Sequence, residues 1–180
     1  MIFLVLVGLS LLAAAAGAGT PPPPVSRKDI RALAAYWADQ RKLPFLWVLA
    51  TIFAESNGKV GEVGDAGVSI GLMQVNTRAH AARLAKLGIT REKLFDPYTN
   101  IMMGTEILAD VTNMVRQAYQ KAGQDPPPAN WDQVVRQAYR GPKRILAAIA
   151  AGTDPLAVFS DTPISLKRWA EAKARAQAVA

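Results

Sequence analysis

The sequence predicts an all-α domain interrupted by one short, turn-rich excursion with room for small strands. Three observations lead there. Apolar residues recur at helical spacing in several separate segments. Proline, aspartate and glycine stand where those segments start and stop. Five glycines (58, 61, 64, 67 and 71) crowd into residues 58–71. The 180 residues hold one domain of ordinary size, and no repeat of solenoid length runs through them.

The first segment is set apart from the rest. Ile2 to Gly19 carries no charge and divides into a bulky half, Ile2–Leu12, and a small-residue half, Ala13–Gly19. This is the shape of a secretory apolar region followed by an A-x-A cleavage site ending at Ala16 or Ala18, so residues 1–18 are expected to be a signal peptide. No Lys or Arg precedes the run, Arg27, Lys28 and Arg31 follow it, and Ile2–Ala18 reaches the short end of a membrane span; an uncleaved membrane anchor is therefore the alternative. The prolines 21–24 make residues 19–25 a linker. The domain is expected over 26–162, followed by a basic, Ala-rich helix over 163–180.

Within the domain, Ser26 is placed to cap a first helix with Asp29 in its first turn. Ile30, Leu33, Ala34 and Trp37 give that helix an apolar face, and it is expected to end near Lys42. Pro44 opens the next helix. Its run from Phe45 to Ala54 is apolar on nearly every side, continues through Glu55 and Ser56, and stops at Asn57-Gly58. This should be the central buried helix. The excursion over 58–71 follows, with short strands expected around Ile70–Val75. Further helices are expected at 77–87, at 97–121 with Asp96 as cap and Pro97 in the first turn, and at 130–140, 143–151 and 164–178. Gln124–Ala129, with three consecutive prolines, is expected to be a loop.

Composition narrows the chemistry. With 21 Lys+Arg against 14 Asp+Glu the net charge is +7, which favours an anionic partner: nucleic acid, anionic lipid or bacterial wall polymer. No recognition motif and no interleaving of aromatic with basic residues supports nucleic acid. The absence of cysteine excludes a disulfide framework, a thiol nucleophile and a thiolate metal site. A single histidine, His80, excludes a multi-histidine metal centre and reads as a rim or surface residue. No metal and no cofactor is expected, so the chemistry must come from carboxylates, amides, hydroxyls or arginines.

Glu55 is the first candidate. It lies one turn after Thr51 and two turns after Val48, so its side chain leaves the stripe that packs the core, where desolvation disfavours the charged form and suits a general acid. Position alone favours a glutamate fraying into solvent, since most glutamate side chains are exposed. The continuation Glu55-Ser56-Asn57-Gly58, then Gly64-Asp65-Ala66-Gly67, then Gly71-Leu72-Met73-Gln74-Val75-Asn76 decides between them, because it resembles the lytic transglycosylases and goose-type lysozymes. Those families share an E-S pair at the end of a buried helix and a G-L-M-Q segment lining a sugar cleft, 16 residues apart as Glu55 and Gly71 are here. Phe95-Asp96-Pro97-Tyr98-Thr99-Asn100-Ile101 with Gly104 and Leu108, and Ala138-Tyr139-Arg140-Gly141, also match the transglycosylase pattern, with Arg140 in place of the customary asparagine. The resemblance covers roughly residues 44–142.

What the resemblance implies is a lysozyme-like α domain in which Glu55 protonates the glycosidic oxygen between N-acetylmuramic acid and N-acetylglucosamine. With no obvious paired carboxylate, the muramic N-acetyl oxygen would stabilise the anomeric centre; Glu55 would then take the proton of the C6 hydroxyl and a 1,6-anhydro end would form. Goose-type enzymes carry carboxylates at positions matching Asp65 and Asn76, and an asparagine at 76 cannot act as base, which favours the transglycosylase over hydrolysis to reducing ends. By the same resemblance Ser56, Asp65, Met73, Gln74, Asn76, Asn100 and Tyr139 are expected to line or hold the substrate site, with Gln74 bonding the glycan and Tyr139 bonding Glu55. Each has a plain structural reading too: a helix-end bond for Ser56, an Asx turn for Asp65, a helix cap for Asn76, core packing for Met73 and Tyr139, and orientation of the cleft wall for Asn100. Arg140 is expected to meet lactyl or peptide carboxylates, while the remaining basic surplus reads as solvated surface. The implied partners are peptidoglycan strands, a membrane through residues 2–18, and secretion, conjugation or phage machinery. The implied location is exported: periplasmic or cell-envelope, inner-membrane anchored or virion-associated. The rival reading is a non-catalytic wall-docking component of an envelope-spanning or virion machine.

Overall fold

The computed structural model describes residues 29–124 and 129–180. The expected signal segment, the linker, the Ser26 cap and most of the Gln124–Ala129 loop lie outside the described residues. Those residues form a mainly α fold with one small sheet, as the sequence predicts: α1 (Ile30–Arg41), α2 (Phe45–Ser56), β1 (Val63–Gly64), β2 (Ser69–Ile70), β3 (Val75–Asn76), α3 (Ala81–Lys86), α4 (Pro97–Lys121), α5 (Trp131–Arg140), α6 (Pro142–Ala150) and α7 (Thr162–Val179). Among them no helix is long and apolar enough to cross a membrane.

Local chemistry sets the boundaries. Asp29, expected inside the first turn, is itself the N-cap of α1 and accepts from the Ala32 amide at 3.0 Å. Asp96 caps α4 through the Thr99 amide and Pro97 follows at the first position, as expected. The helix expected over 77–87 begins only at Ala81. Asn76 Oδ1 accepts from the Arg78 and Ala79 amides, and the Thr77 amide and hydroxyl both donate to the Val68 carbonyl, so the chain turns here before it can wind. The sheet is antiparallel in the order β1-β2-β3, with Val63 opposite Ile70 and Ser69 opposite Asn76.

Two apolar clusters share α4. One packs Leu33, Trp37, Val48, Leu49, Ile52, Leu72, Met73, Ile101 and Leu108 around α2; the other joins Ile70, Leu94, Met103, Ile107, Val111, Val134, Ile145 and Ile149. Thr51 is buried on α2, and its hydroxyl donates to the Trp47 carbonyl at 2.8 Å, so the buried oxygen is satisfied within its own helix.

The terminal helix is part of this core, not an appendage to it. Trp169, Ala172 and Ala176 of α7 are buried in the α2 cluster, and Asp132 at the start of α5 accepts from Trp169 Nε1 at 2.9 Å and Lys173 Nζ at 2.5 Å. Burial pushes the Asp132 carboxyl up, but the Lys173 and Trp169 hydrogen bonds and the Lys173 charge outweigh it and hold the group below the ordinary aspartate range.

Asp132→Asn is therefore expected to cost about 1–2 kcal/mol at neutral pH through the loss of charge-assisted hydrogen bonds. A carboxyl lowered on folding contributes fully above its unfolded value of about 3.9 and loses that contribution as pH falls through the lowered one. Urea unfolding of the wild type and the variant is expected to differ at neutral pH and to converge in strong acid.

Candidate active site

The last turn of α2 delivers Glu55. The middle of the helix, 48–52, is covered by core, and its side chains are half-buried toward the two ends, at 45–47 and 53–55. Asn57 stops the winding in the left-handed region, φ 55°, with its amide donating to the Phe53 carbonyl. Ser56 is buried; its hydroxyl donates to the Ile52 carbonyl at 3.0 Å and accepts from the Gly58 amide at 3.2 Å, which satisfies the helix end. The Glu55 side chain is 17% exposed, and Ser56 lines the same cavity beside it.

The exposed end of Glu55 opens into a cavity of about 410 Å³ that Phe53, Lys59, Glu62, Arg168, Glu171 and Arg175 also line. Three of these six residues come from α7. Arg175 crosses the mouth, donating to Asn57 Oδ1 and lying 4.3 Å from the centre of the Phe53 ring.

The Glu55 carboxylate is held by Arg136 of α5, whose Nη1 donates to Oε1. Arg136 is 7% exposed, and its guanidinium lies 5.9 Å from the Trp169 ring. One turn later on α5, Tyr139 donates to the Met73 carbonyl at 2.9 Å, where the resemblance had it bonding Glu55. Burial, with the nearby Glu55 charge adding to it, pushes the Tyr139 phenol far up, and Arg136 only partly offsets this. Tyr139 is thus a fixed donor that ties the G-L-M-Q segment to α5.

That segment is anchored from below by Asn100. The side chain is 1% exposed; Nδ2 donates to the Ile70 and Leu94 carbonyls at 2.8 and 2.7 Å, and Oδ1 accepts from the Met73 amide at 2.8 Å. All three of these contacts are to backbone and tie α4 to the G-L-M-Q segment. Gly71, at φ 76°, is forced by the same contact: a Cβ there would stand 2.2 Å from Asn100 Nδ2. Met73 is fully buried against Gly104, where a Cβ would meet Met73 Sδ at 2.5 Å, so its thioether packs the core and not a sugar face.

The remaining expected site residues belong to the small sheet. Gln74, at φ 48°, donates its amide to the Glu62 and Gly71 carbonyls at 3.2 and 3.0 Å, closing the base of the sheet. Asp65 is exposed in the left-handed turn between β1 and β2 and accepts from the Ser69 hydroxyl at 2.5 Å. Asn76 caps the turn that follows β3. Arg140, expected to meet glycan carboxylates, instead donates to Asp161 at 2.5 Å and Gln137 at 2.9 Å. His80 is half-buried; desolvation first and then Arg83 lower its pKa against the pull of Asp110. Among the described residues no group of three or more His, Asp or Glu side chains is placed to hold a metal ion.

Sequence reasoning missed Arg136, Glu62, Arg168, Glu171 and Arg175. The only trace was a spacing on the last helix: 168, 171, 172 and 175 share one face. Which face would meet α2 could not be read from it. A guanidinium at position 136, flanked by Val134, Val135 and Ala138, gave no sign of its partner 81 residues away.

The family model described as the transglycosylase SLT domain matches residues 32–151, which takes in every residue of the site except those of α7. The invasion protein IagB of Salmonella typhimurium, strains SL1344 and LT2, and that of Salmonella typhi are each 33% identical over 67 residues. That stretch covers 37% of this chain and 41% of each relative, so the chain spans about two fifths of the length of the curated relatives it matches. No solved structure gives a significant match.

Asn100→Ala would leave the Met73 amide and the Ile70 and Leu94 carbonyls unpaired in a dry site. The expected loss of stability is about 3 kcal/mol or more, read as a lower midpoint in urea unfolding.

Proposed function

We propose a reaction for this chain, which belongs to the transglycosylase SLT domain family: non-hydrolytic cleavage of the β-1,4 bond between N-acetylmuramic acid and N-acetylglucosamine in peptidoglycan. The observation that carries the reading is Glu55, a mostly buried carboxyl at the end of the apolar helix α2 whose exposed end opens into a cavity of about 410 Å³. A carboxyl held by packing at a cavity wall is preorganised for proton transfer to a bound oxygen.

In the first step the Glu55 proton goes to the glycosidic oxygen, the bond from that oxygen to the muramic anomeric carbon breaks, and the muramic N-acetyl oxygen closes onto that carbon. In the second, the Glu55 carboxylate takes the proton of the muramic C6 hydroxyl. O6 then attacks the anomeric carbon, the acetamido bond opens, and a 1,6-anhydro end remains. Glu55 ends protonated, as it began, and no water is consumed. Asp65 and Asn76, the positions from which a hydrolase would direct water, have the Ser69 hydroxyl and backbone amides as partners, which supports the anhydro outcome.

Hydrolysis is the second reading, favoured by one observation: Glu62 brings another carboxylate to the wall of the same cavity, paired loosely with Lys59 at 3.9 Å. A peptidoglycan substrate implies work in the cell envelope, consistent with the export-like segment at residues 1–18. The short similarity to invasion proteins fits local wall opening that serves a secretion-type machine.

Digestion of purified peptidoglycan followed by liquid chromatography and mass spectrometry tests the reading. The expected result is anhydromuramyl ends from the wild type and a loss of about 10²- to 10⁴-fold in Glu55→Gln. Reducing ends would make the chain a hydrolase, and equal digestion by both proteins would remove Glu55 from the reaction.

A further inference from the structure

The Arg136–Glu55 pair is a poor device for stability. Arg136 stands among Val134, Val135 and Ala138 on the buried face of α5, and its Nε has no hydrogen-bond partner. A buried ion pair repays little or none of its desolvation cost, and an aliphatic side chain would fill the same space without leaving an orphaned donor. The pair does place a permanent cation in contact with the one carboxyl that the proposed reaction charges and discharges.

We propose that Arg136 is the positioning residue of this site. It fixes the Glu55 carboxylate against α5 and stabilises the negative charge that appears there when the proton leaves for the glycosidic oxygen. The inference rests on the reaction proposed above and deepens it. In the first step the charge developing on Glu55 finds a guanidinium already in contact, which needs no reorganisation at the moment of transfer. In the second step the carboxylate takes the C6 hydroxyl proton, and Arg136 keeps it aimed while it does so.

Arg136 is in turn placed by α7, which lies outside the family match. Trp169 underlies the guanidinium at 5.9 Å and is anchored through Nε1 to Asp132, on the first turn of the helix that carries Arg136. The other ionisable groups facing Glu55 are Tyr139 from α5, Arg168, Glu171 and Arg175 from α7, and Lys59 and Glu62 from the chain after α2. Of all these, Arg136 alone is shown bonded to the Glu55 carboxylate among the described residues.

The test uses the full chain as wild type, Arg136→Lys, Arg136→Gln and Glu55→Gln, each checked for folding by circular dichroism, with kcat and KM for anhydromuropeptide release measured separately. Arg136→Gln is expected to lower kcat about tenfold or more with KM changed less than about twofold. Arg136→Lys, which keeps the charge, is expected to restore most of kcat. A merely structural role would not separate Lys from Gln or confine the loss to kcat, so equal loss in both variants, or a loss carried by KM, would overturn the proposal.

The pairing is also read without substrate. The wild type is expected to show a slowly exchanging Arg136 guanidinium proton by nitrogen-edited NMR, absent from Arg136→Lys and lost in Glu55→Ala, which removes the acceptor. Persistence of that signal in Glu55→Ala would overturn the pairing whatever Arg136→Gln does, including failure to fold. If the pairing is seen but the wild type yields no anhydromuramyl ends, the reaction has failed, and Arg136 with it as an aid to that reaction.

Discussion

A helix that is apolar on nearly every face has to be covered on every side, and α2 imposes that demand on this chain. Val48, Leu49, Ala50 and Ile52 are at most 1% exposed, and α1, α4, α5 and α7 all contribute side chains to the cluster around them. The consequence for chemistry is positional. Walled in over 48–52, the helix approaches water at its two ends, and Glu55 stands at the second of them. Burial of the helix and placement of the carboxyl at a cavity are therefore one constraint.

The polar groups that this burial traps are used as ties. Asn100 donates to the Ile70 carbonyl just ahead of the G-L-M-Q segment and accepts from the Met73 amide within it, Tyr139 gives its hydroxyl to the Met73 carbonyl, and Gln74 closes the small sheet below it. Each is a family-pattern residue that could be taken for a ligand contact, and each is committed to backbone here. A buried amide with satisfied partners orients a wall more rigidly than it reads a sugar, because re-aiming it would leave a carbonyl or an amide unpaired. The small sheet is built the same way. Asp65 spends its carboxylate on the Ser69 hydroxyl and Asn76 its carbonyl on a turn, while Glu62, just ahead of β1, lines the cavity.

The terminal helix links scaffold to site. Its apolar residues, Trp169, Ala172 and Ala176, close the cluster on α2, while Arg168, Glu171 and Arg175, at neighbouring positions on the helix, line the cavity beside Glu55. Asp132 joins α7 to α5, and α5 carries the arginine that holds Glu55. A segment beyond the reach of the family match thus shapes the surroundings of the carboxyl on which the proposed reaction depends.

By itself the sequence determined the helical class, the ends of α2 and α4, the central place of α2 and the candidacy of Glu55. These follow from short-range signals: apolar periodicity, Pro and Asp at helix starts, Asn and Gly at a helix stop, and a 16-residue spacing between two short motifs. It did not determine that 77–80 would be a turn, since the Val68 carbonyl that holds Thr77 is set by strand register. Only the tertiary structure decided that Arg136 meets Glu55, that Tyr139 reaches Met73 instead, that Arg140 turns to Asp161, and that α7 lines the cavity. These are meetings between residues far apart in the chain, on helices whose faces are chosen by packing. Periodicity says that a face is apolar, but the partner across it is settled only when all the faces are buried together.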